Sequence, residues 1–236
     1  MGSTARARLS RRARARLAAE GGFTLPELLI TMAILLIVVA SLASVLVSAT
    51  HTEVDATTRF QAQGQARAGL DQLRREIHCA SAVTQAVTAG TAMTPGTSYS
   101  AITVALGPGC PTNATHAATF YSTWCTSSTG ALTTGDFALY RVTSTSARPT
   151  CASSGKIKWA DYLQPTAGTS PPSSLPFCLP DATHPCGGVL RPSASLPMLH
   201  VTMPVNLNGP TSTKDGYNLV DDIALRNGCS QGRSSC

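Results

Sequence analysis

The chain opens on a polar, arginine-studded stretch, passes into an unbroken apolar run, and ends in a long body of short segments rich in hydroxyl side chains. Leu28 to Ala49 is 22 residues without a charge. At ~1.5 Å per residue a helix of that length crosses the ~30 Å hydrocarbon core of a bilayer. Past it, Val54, Thr58, Ala62, Ala66, Leu70, Leu73 and Ile77 recur at the spacing of one stripe on an amphipathic helix. Arg59, Gln63, Arg67, Asp71, Arg74 and Arg75 fall on the opposite face. The spacing therefore predicts that the helix continues over 51–80 and packs its stripe on the chain's own sheet. Gly64 and Gly69 weaken it locally, each by about 1 kcal/mol relative to alanine.

From residue 81 onward the pattern changes to that of strands and turns. Strands are expected over Ala101 to Leu106, Thr119 to Trp124, Phe137 to Val142, Leu199 to Val205 and Leu219 to Leu225. In Leu199 to Val205 apolar residues at odd positions alternate with polar ones, and Pro204 places that strand at a sheet edge or close to its own end. Six prolines between Gln164 and Pro185 predict a surface loop over 164–185. The fold class expected is α+β. A long N-terminal helix, membrane-spanning in its first half and amphipathic in its second, packs on an antiparallel β-sheet head whose loops are stapled by disulfides.

Charge divides the chain unevenly. The net charge is +6, yet Arg6, Arg8, Arg11, Arg12, Arg14 and Arg16 stand in the first 22 residues against a single acid, Glu20, so residues 23 to 236 carry +1. The twelve remaining basic residues are interleaved with eleven acids, which argues against nucleic acid as a partner of the head. Arginines before the apolar run and few basic residues just after it put the N-terminus in the cytoplasm and everything past about residue 50 outside. Composition agrees with export: charged residues are 13% of the chain, while serine and threonine number 54.

All eight cysteines, Cys79, Cys110, Cys125, Cys151, Cys178, Cys186, Cys229 and Cys236, follow the apolar run. Disulfides persist outside the cytoplasm, so four are expected. Eight cysteines allow 105 pairings; Cys178 with Cys186, and Cys229 with Cys236, would each close a short loop. Without a Cys-x-x-Cys pair or a histidine at ligand spacing, no zinc site is indicated.

Glu27 is the odd residue, an acid at the mouth of an apolar segment. A charge inside a bilayer is unfavourable by ~2.5–3.5 kcal/mol or more, so it calls for a partner. Cleavage between Gly22 and Phe23 would supply one: the new α-amino group of Phe23 stands one helical turn from Glu27. The stretch Gly22-Phe23-Thr24-Leu25-Pro26-Glu27-Leu28-Leu29-Ile30 resembles the class III leader junction of type IV pilins and type II secretion pseudopilins. The resemblance covers about residues 21 to 50. It implies that a prepilin peptidase cuts after Gly22 and methylates Phe23, and that Glu27 pairs with the N-terminal amine of an adjacent subunit during assembly. It divides the chain into a leader (1–22), a membrane and filament-core helix (23–50), an amphipathic continuation (51–80) and a β-rich extracytoplasmic head (81–236). It also implies other pilin or pseudopilin subunits, an inner-membrane platform and its ATPase as partners, and passage from the inner membrane to a cell-surface filament. Leu73 to His78 is similar to the helix end of minor pseudopilins. An ordinary signal peptide cut after Val47-Ser48-Ala49 would have a shorter apolar region and no acid at its mouth.

No catalytic motif stands out. The histidines at 51, 78, 116, 184 and 200 are scattered, and neither a Gly-x-Ser-x-Gly elbow nor His-Glu-x-x-His occurs. Asp215, Asn218, Asp221 and Asp222 offer oxygen ligands for calcium, though in no EF-hand spacing, and read better as a solvated acidic turn. Asn113-Ala114-Thr115 is a formal glycosylation sequon. The expectation is a structural subunit, minor rather than bulk because its head is large, with no enzymatic activity and no cofactor. The alternatives are an anchored or secreted adhesin-like domain that never polymerises and, third, a secreted hydrolase, which predicts turnover by the head and a convergent polar pocket.

Overall fold

The computed structural model describes residues 24–86, 91–113, 115–128, 137–166, 173–191, 196–206 and 216–226. The chain divides into two compact units, Met1–Asp55 and Ala56–Cys236. One helix, α1 (Leu25–Cys79), starts in the first and ends in the second.

In the first unit every described residue, Thr24 to Asp55, is exposed. The helix is good there because leucines, isoleucines and alanines follow one another without a glycine, and Pro26 sits in the first turn, where a missing N–H breaks no helical bond. Its hydroxyls bond back to its own carbonyls: Thr31 to Leu28, Ser41 to Val38, Ser44 to Ser41, Thr50 to Val47 and Thr52 to Ser48, at 2.8–2.9 Å. These bonds leave the apolar cylinder with few polar groups for lipid or a packed neighbour to desolvate.

The second unit holds the rest of α1 and nine strands: β1 (Ala80–Gln85), β2 (Ser98–Tyr99), β3 (Ala101–Leu106), β4 (Phe120–Ser128), β5 (Phe137–Ser144), β6 (Ile157–Leu163), β7 (Phe177–Cys178), β8 (Met198–Val205) and β9 (Tyr217–Ala224). They form one antiparallel sheet in the order β1-β3-β4-β5-β6-β8-β7-β2, with β9 on β8. The path curls back toward its start. Ser100 joins β2 to β3, and at the end of β4 Thr126 donates its N–H to the Ser100 carbonyl (2.8 Å) and its hydroxyl to the Ser174 carbonyl (2.6 Å). The class is α+β, as expected, and the sheet is barrel-like.

The concave face takes the helix. Ala62, Ala66, Leu70, Leu73 and Ile77 are buried with Ile102, Val104, Trp124, Leu139, Leu163, Phe177, Val201 and Met203 in one core. The expected stripe is therefore buried from Ala62 onward, whereas Val54 at its start is 64% exposed. Gly69 is buried too, and a Cβ there would meet Leu139 of β5 and Trp159 of β6 at 3.5 Å, an ordinary van der Waals contact. On the convex face the β5–β6 connection folds back over β4. Cys125–Cys151 staples it, and Thr123 donates to the Pro149 carbonyl at 2.7 Å while receiving the Thr103 hydroxyl at 2.8 Å. Arg148 and Lys156 from that connection lie over the Tyr121 and Tyr140 rings.

Two expectations change. The segment 164–185 is not loop throughout, because β7 occupies Phe177–Cys178 between Pro176 and Pro180 and pairs with both β2 and β8. Nor do Asn218, Asp221 and Asp222 form an acidic turn; they are in β9, whose register against β8 runs unbroken from Tyr217 to Ala224. Asp215 lies outside the described residues. Pro204 is one residue from the end of β8, as expected of its missing N–H.

Candidate functional site

The N-terminal end of α1 is built by the chain itself. Thr24 precedes the helix, and its carbonyl accepts the N–H of Glu27 at 2.9 Å and of Leu28 at 3.1 Å. Glu27 thus stands in the first turn, fully in the open, where a carboxylate interacts favourably with the positive end of the helix dipole. Gly22 and Phe23 lie outside the described residues. Among the described residues α1 alone is long and apolar enough to cross a membrane.

At the other end α1 is tied to the sheet by a group that the sequence did not single out as buried. Glu76 is completely inaccessible to solvent. Its Oε1 meets Arg141 Nη2 of β5 at 2.5 Å, and Gln72 Nε2, one turn back, donates to the same oxygen at 3.3 Å. Trp124 of β4 donates its indole N–H to Oε2 at 2.6 Å. Arg141 is itself held by Ser122, whose hydroxyl accepts its Nε–H at 3.1 Å. One charged, planar donor and one indole therefore satisfy both oxygens of a carboxylate that no water reaches. The sequence signal was available: Glu76 interrupts the charged face and sits between Leu73 and Ile77, on the apolar one.

Two more ties act nearby. Arg74 bridges Asp71, at 3.2 Å, and Asp221 of β9, at 2.7 Å. Cys79, the last residue of α1, is disulfide-bonded to Cys110 in the β3–β4 connection. The other bridges are Cys125–Cys151 and Cys178–Cys186; Cys229 and Cys236 lie outside the described residues. Of the residues considered for calcium, Asp221 turns to Arg74 and Asp222 to His200, on opposite faces of β9. The sequon asparagine is no acceptor: Asn113 is buried, its side-chain amide donating to the carbonyls of Gly107 (3.0 Å) and Ala117 (2.9 Å).

The exposed apolar helix with an acid in its first turn finds its counterpart in a family model. The chain carries a prokaryotic N-terminal methylation motif at residues 17–43. The motif is the class III leader of type IV pilins, and it spans the leader end, Glu27 and most of the apolar run. It implies processing by a prepilin peptidase and assembly with other pilins, and with the apolar helix it fits anchoring in the inner membrane. Comparison with curated proteins and with solved structures gives no match.

Proposed function

We propose that the protein is a structural, pilin-like subunit, a minor pilin or pseudopilin, cut between Gly22 and Phe23, methylated on Phe23 and assembled through α1 into a type IV pilus or type II secretion-like filament. The methylation motif at residues 17–43 carries this reading. It is supported by the exposed apolar helix with an acid in its first turn. Glu27 receives the N-terminal amine of a neighbouring subunit as the helices leave the lipid, so that neither charge is desolvated alone. The buried pair at Glu76 and the disulfide at Cys79 hold the head to α1.

N-terminal sequencing of the mature protein tests the proposal: a start at N-methylated Phe23 is expected, and a start at Thr50 or an intact Met1 refutes it. Glu27→Ala should leave membrane insertion and cleavage in place and abolish incorporation into filaments. Unchanged incorporation would leave the anchored, non-polymerising binding domain as the reading.

A further inference from the structure

His200, Thr202 and Asp222 converge on the convex face of the sheet, away from α1 and independent of its assembly role. On β8 the odd positions Leu199, Val201, Met203 and Val205 are buried in the core, so His200 and Thr202, two residues apart, share the opposite face. The antiparallel register of β9 sets Asp222 directly across from His200. Asp222 Oδ1 is 2.7 Å from His200 Nδ1, and Thr202 Oγ1 is 2.9 Å from His200 Nε2. A carboxylate only accepts, so in a neutral imidazole the proton sits on Nδ1 and the Nε2 lone pair accepts from the Thr202 hydroxyl. The imidazole is enclosed, its side chain 5% exposed, whereas Thr202 is half-buried and reachable.

What encloses the imidazole is a hairpin tip. Cys186 and Val189 exchange both backbone hydrogen bonds, and Gly187 and Gly188 between them have φ of 56° and 85°, a turn that needs left-handed residues at both centres. A Cβ on Gly187 would stand 3.0 Å from His200 Nε2, a tight contact on a left-handed backbone, and the glycine avoids both. The N–H groups of Gly187 and Gly188 bond to no described residue. A hydroxyl, a base aligned on it, a carboxylate orienting the base and free backbone donors beside them are the parts of a nucleophilic acyl-transfer centre.

We propose that Thr202 is a base-activated nucleophile and that this face of the head cleaves small esters. Thr202 Oγ1 attacks the ester carbonyl carbon while its proton passes to His200 Nε2; Asp222 stabilises the imidazolium, and the tip amides face the oxyanion. The bond to the alcohol oxygen then breaks, and that oxygen takes the proton from Nε2. Water, deprotonated by the same nitrogen, hydrolyses the threonyl ester, so that ester and water become acid and alcohol and the side chains return to their starting state. The hairpin tip, pressed on Nε2, limits the substrate to a small acyl group.

The full-length protein in detergent micelles is incubated with p-nitrophenyl acetate; nitrophenol release is followed and acetylated positions are mapped by mass spectrometry. Acetyl is expected on Thr202 well ahead of the exposed hydroxyl of Thr143 on β5. Thr202→Val should abolish release and Thr202→Ser should retain it, while His200→Gln slows it by about 100-fold or more. Circular dichroism and the count of free thiols report whether each variant is folded. Should His200→Gln not fold, the preference for Thr202 over Thr143 in the unmodified protein decides. Acetylation of Thr202 no faster than of Thr143, or release unchanged in a folded His200→Gln protein, overturns the proposal and leaves the three residues as a brace for the hairpin.

Discussion

Arg141→Met removes the only positive charge among the described residues that meets Glu76 and leaves a carboxylate with no solvent access facing an indole N–H and one amide. Those two neutral donors satisfy lone pairs but do not offset a charge taken out of water. Breaking a buried pair from one side costs about 3–5 kcal/mol, against a whole-domain stability of about 5–15 kcal/mol. Replacing both partners, Glu76→Met with Arg141→Met, removes the stranded charge and should return stability to within about 1 kcal/mol of the unmodified protein. Urea unfolding of the full chain in detergent, followed by tryptophan fluorescence, reads both. The probe is local, because Trp124 is hydrogen-bonded to Glu76 and its ring lies 5.8 Å from that of Trp159. With a slope near 2 kcal/mol per molar urea, the single variant's midpoint should fall by about 2 M. A single variant within about 1 kcal/mol of the unmodified protein, or a double variant as damaged as the sum of the two singles, would refute the reasoning.

Further outcomes follow from the same packing. Replacing Cys79 and Cys110 by serine, which opens a span of 31 residues, should cost about 3.7 kcal/mol on chain entropy, against about 2.5 kcal/mol for Cys178 and Cys186, eight apart; thermal melts of the two variants give the order. Gly187→Ala should cost about 1–2 kcal/mol for the left-handed backbone and more for the imidazole at 3.0 Å, whereas Gly188→Ala, with open space around it, should cost the backbone part alone. Tyr217 has a buried hydroxyl without a partner among the described residues, and burial raises its phenol above the usual 10.0 although the charge of Arg67 pulls it down. Its contribution to stability is therefore complete below pH about 10 and is lost as the pH rises through the folded value. Tyr217→Phe should flatten that alkaline loss without lowering the melting temperature at neutral pH.

Legibility differed sharply between elements. The stripe Ala62 to Ile77 could be read because a helix repeats its faces every few residues, and the buried positions follow from local spacing alone. The strand over Ala101 to Leu106 was legible for its run of branched and apolar residues, and β8 for its alternation. The strands that went unread, β1, β2, β6 and β7, are short, edge-placed or irregular. β6 carries charged residues, and Tyr162, at φ 60°, interrupts its pairing beside Asp161. Nothing in a two-residue strand such as β7 marks it before its partners are in place.

The sequence alone determined the features that depend on neighbours along the chain. These are the arginine-rich start, the acid in the first turn of an apolar helix, the methylation motif and the amphipathic continuation, since each is a matter of charge and spacing over one helical path. Tertiary structure decided every pairing across the chain. Glu76 and Arg141 are 65 positions apart, and His200 and Asp222 meet only because β9 enters the sheet in one register. A shift of a single residue in that register would turn Asp222 toward the core and Asp221 toward the histidine's face. Side-chain period along a strand says which residues share a face; which strand lies opposite, and where, is set by the burial of the core as a whole.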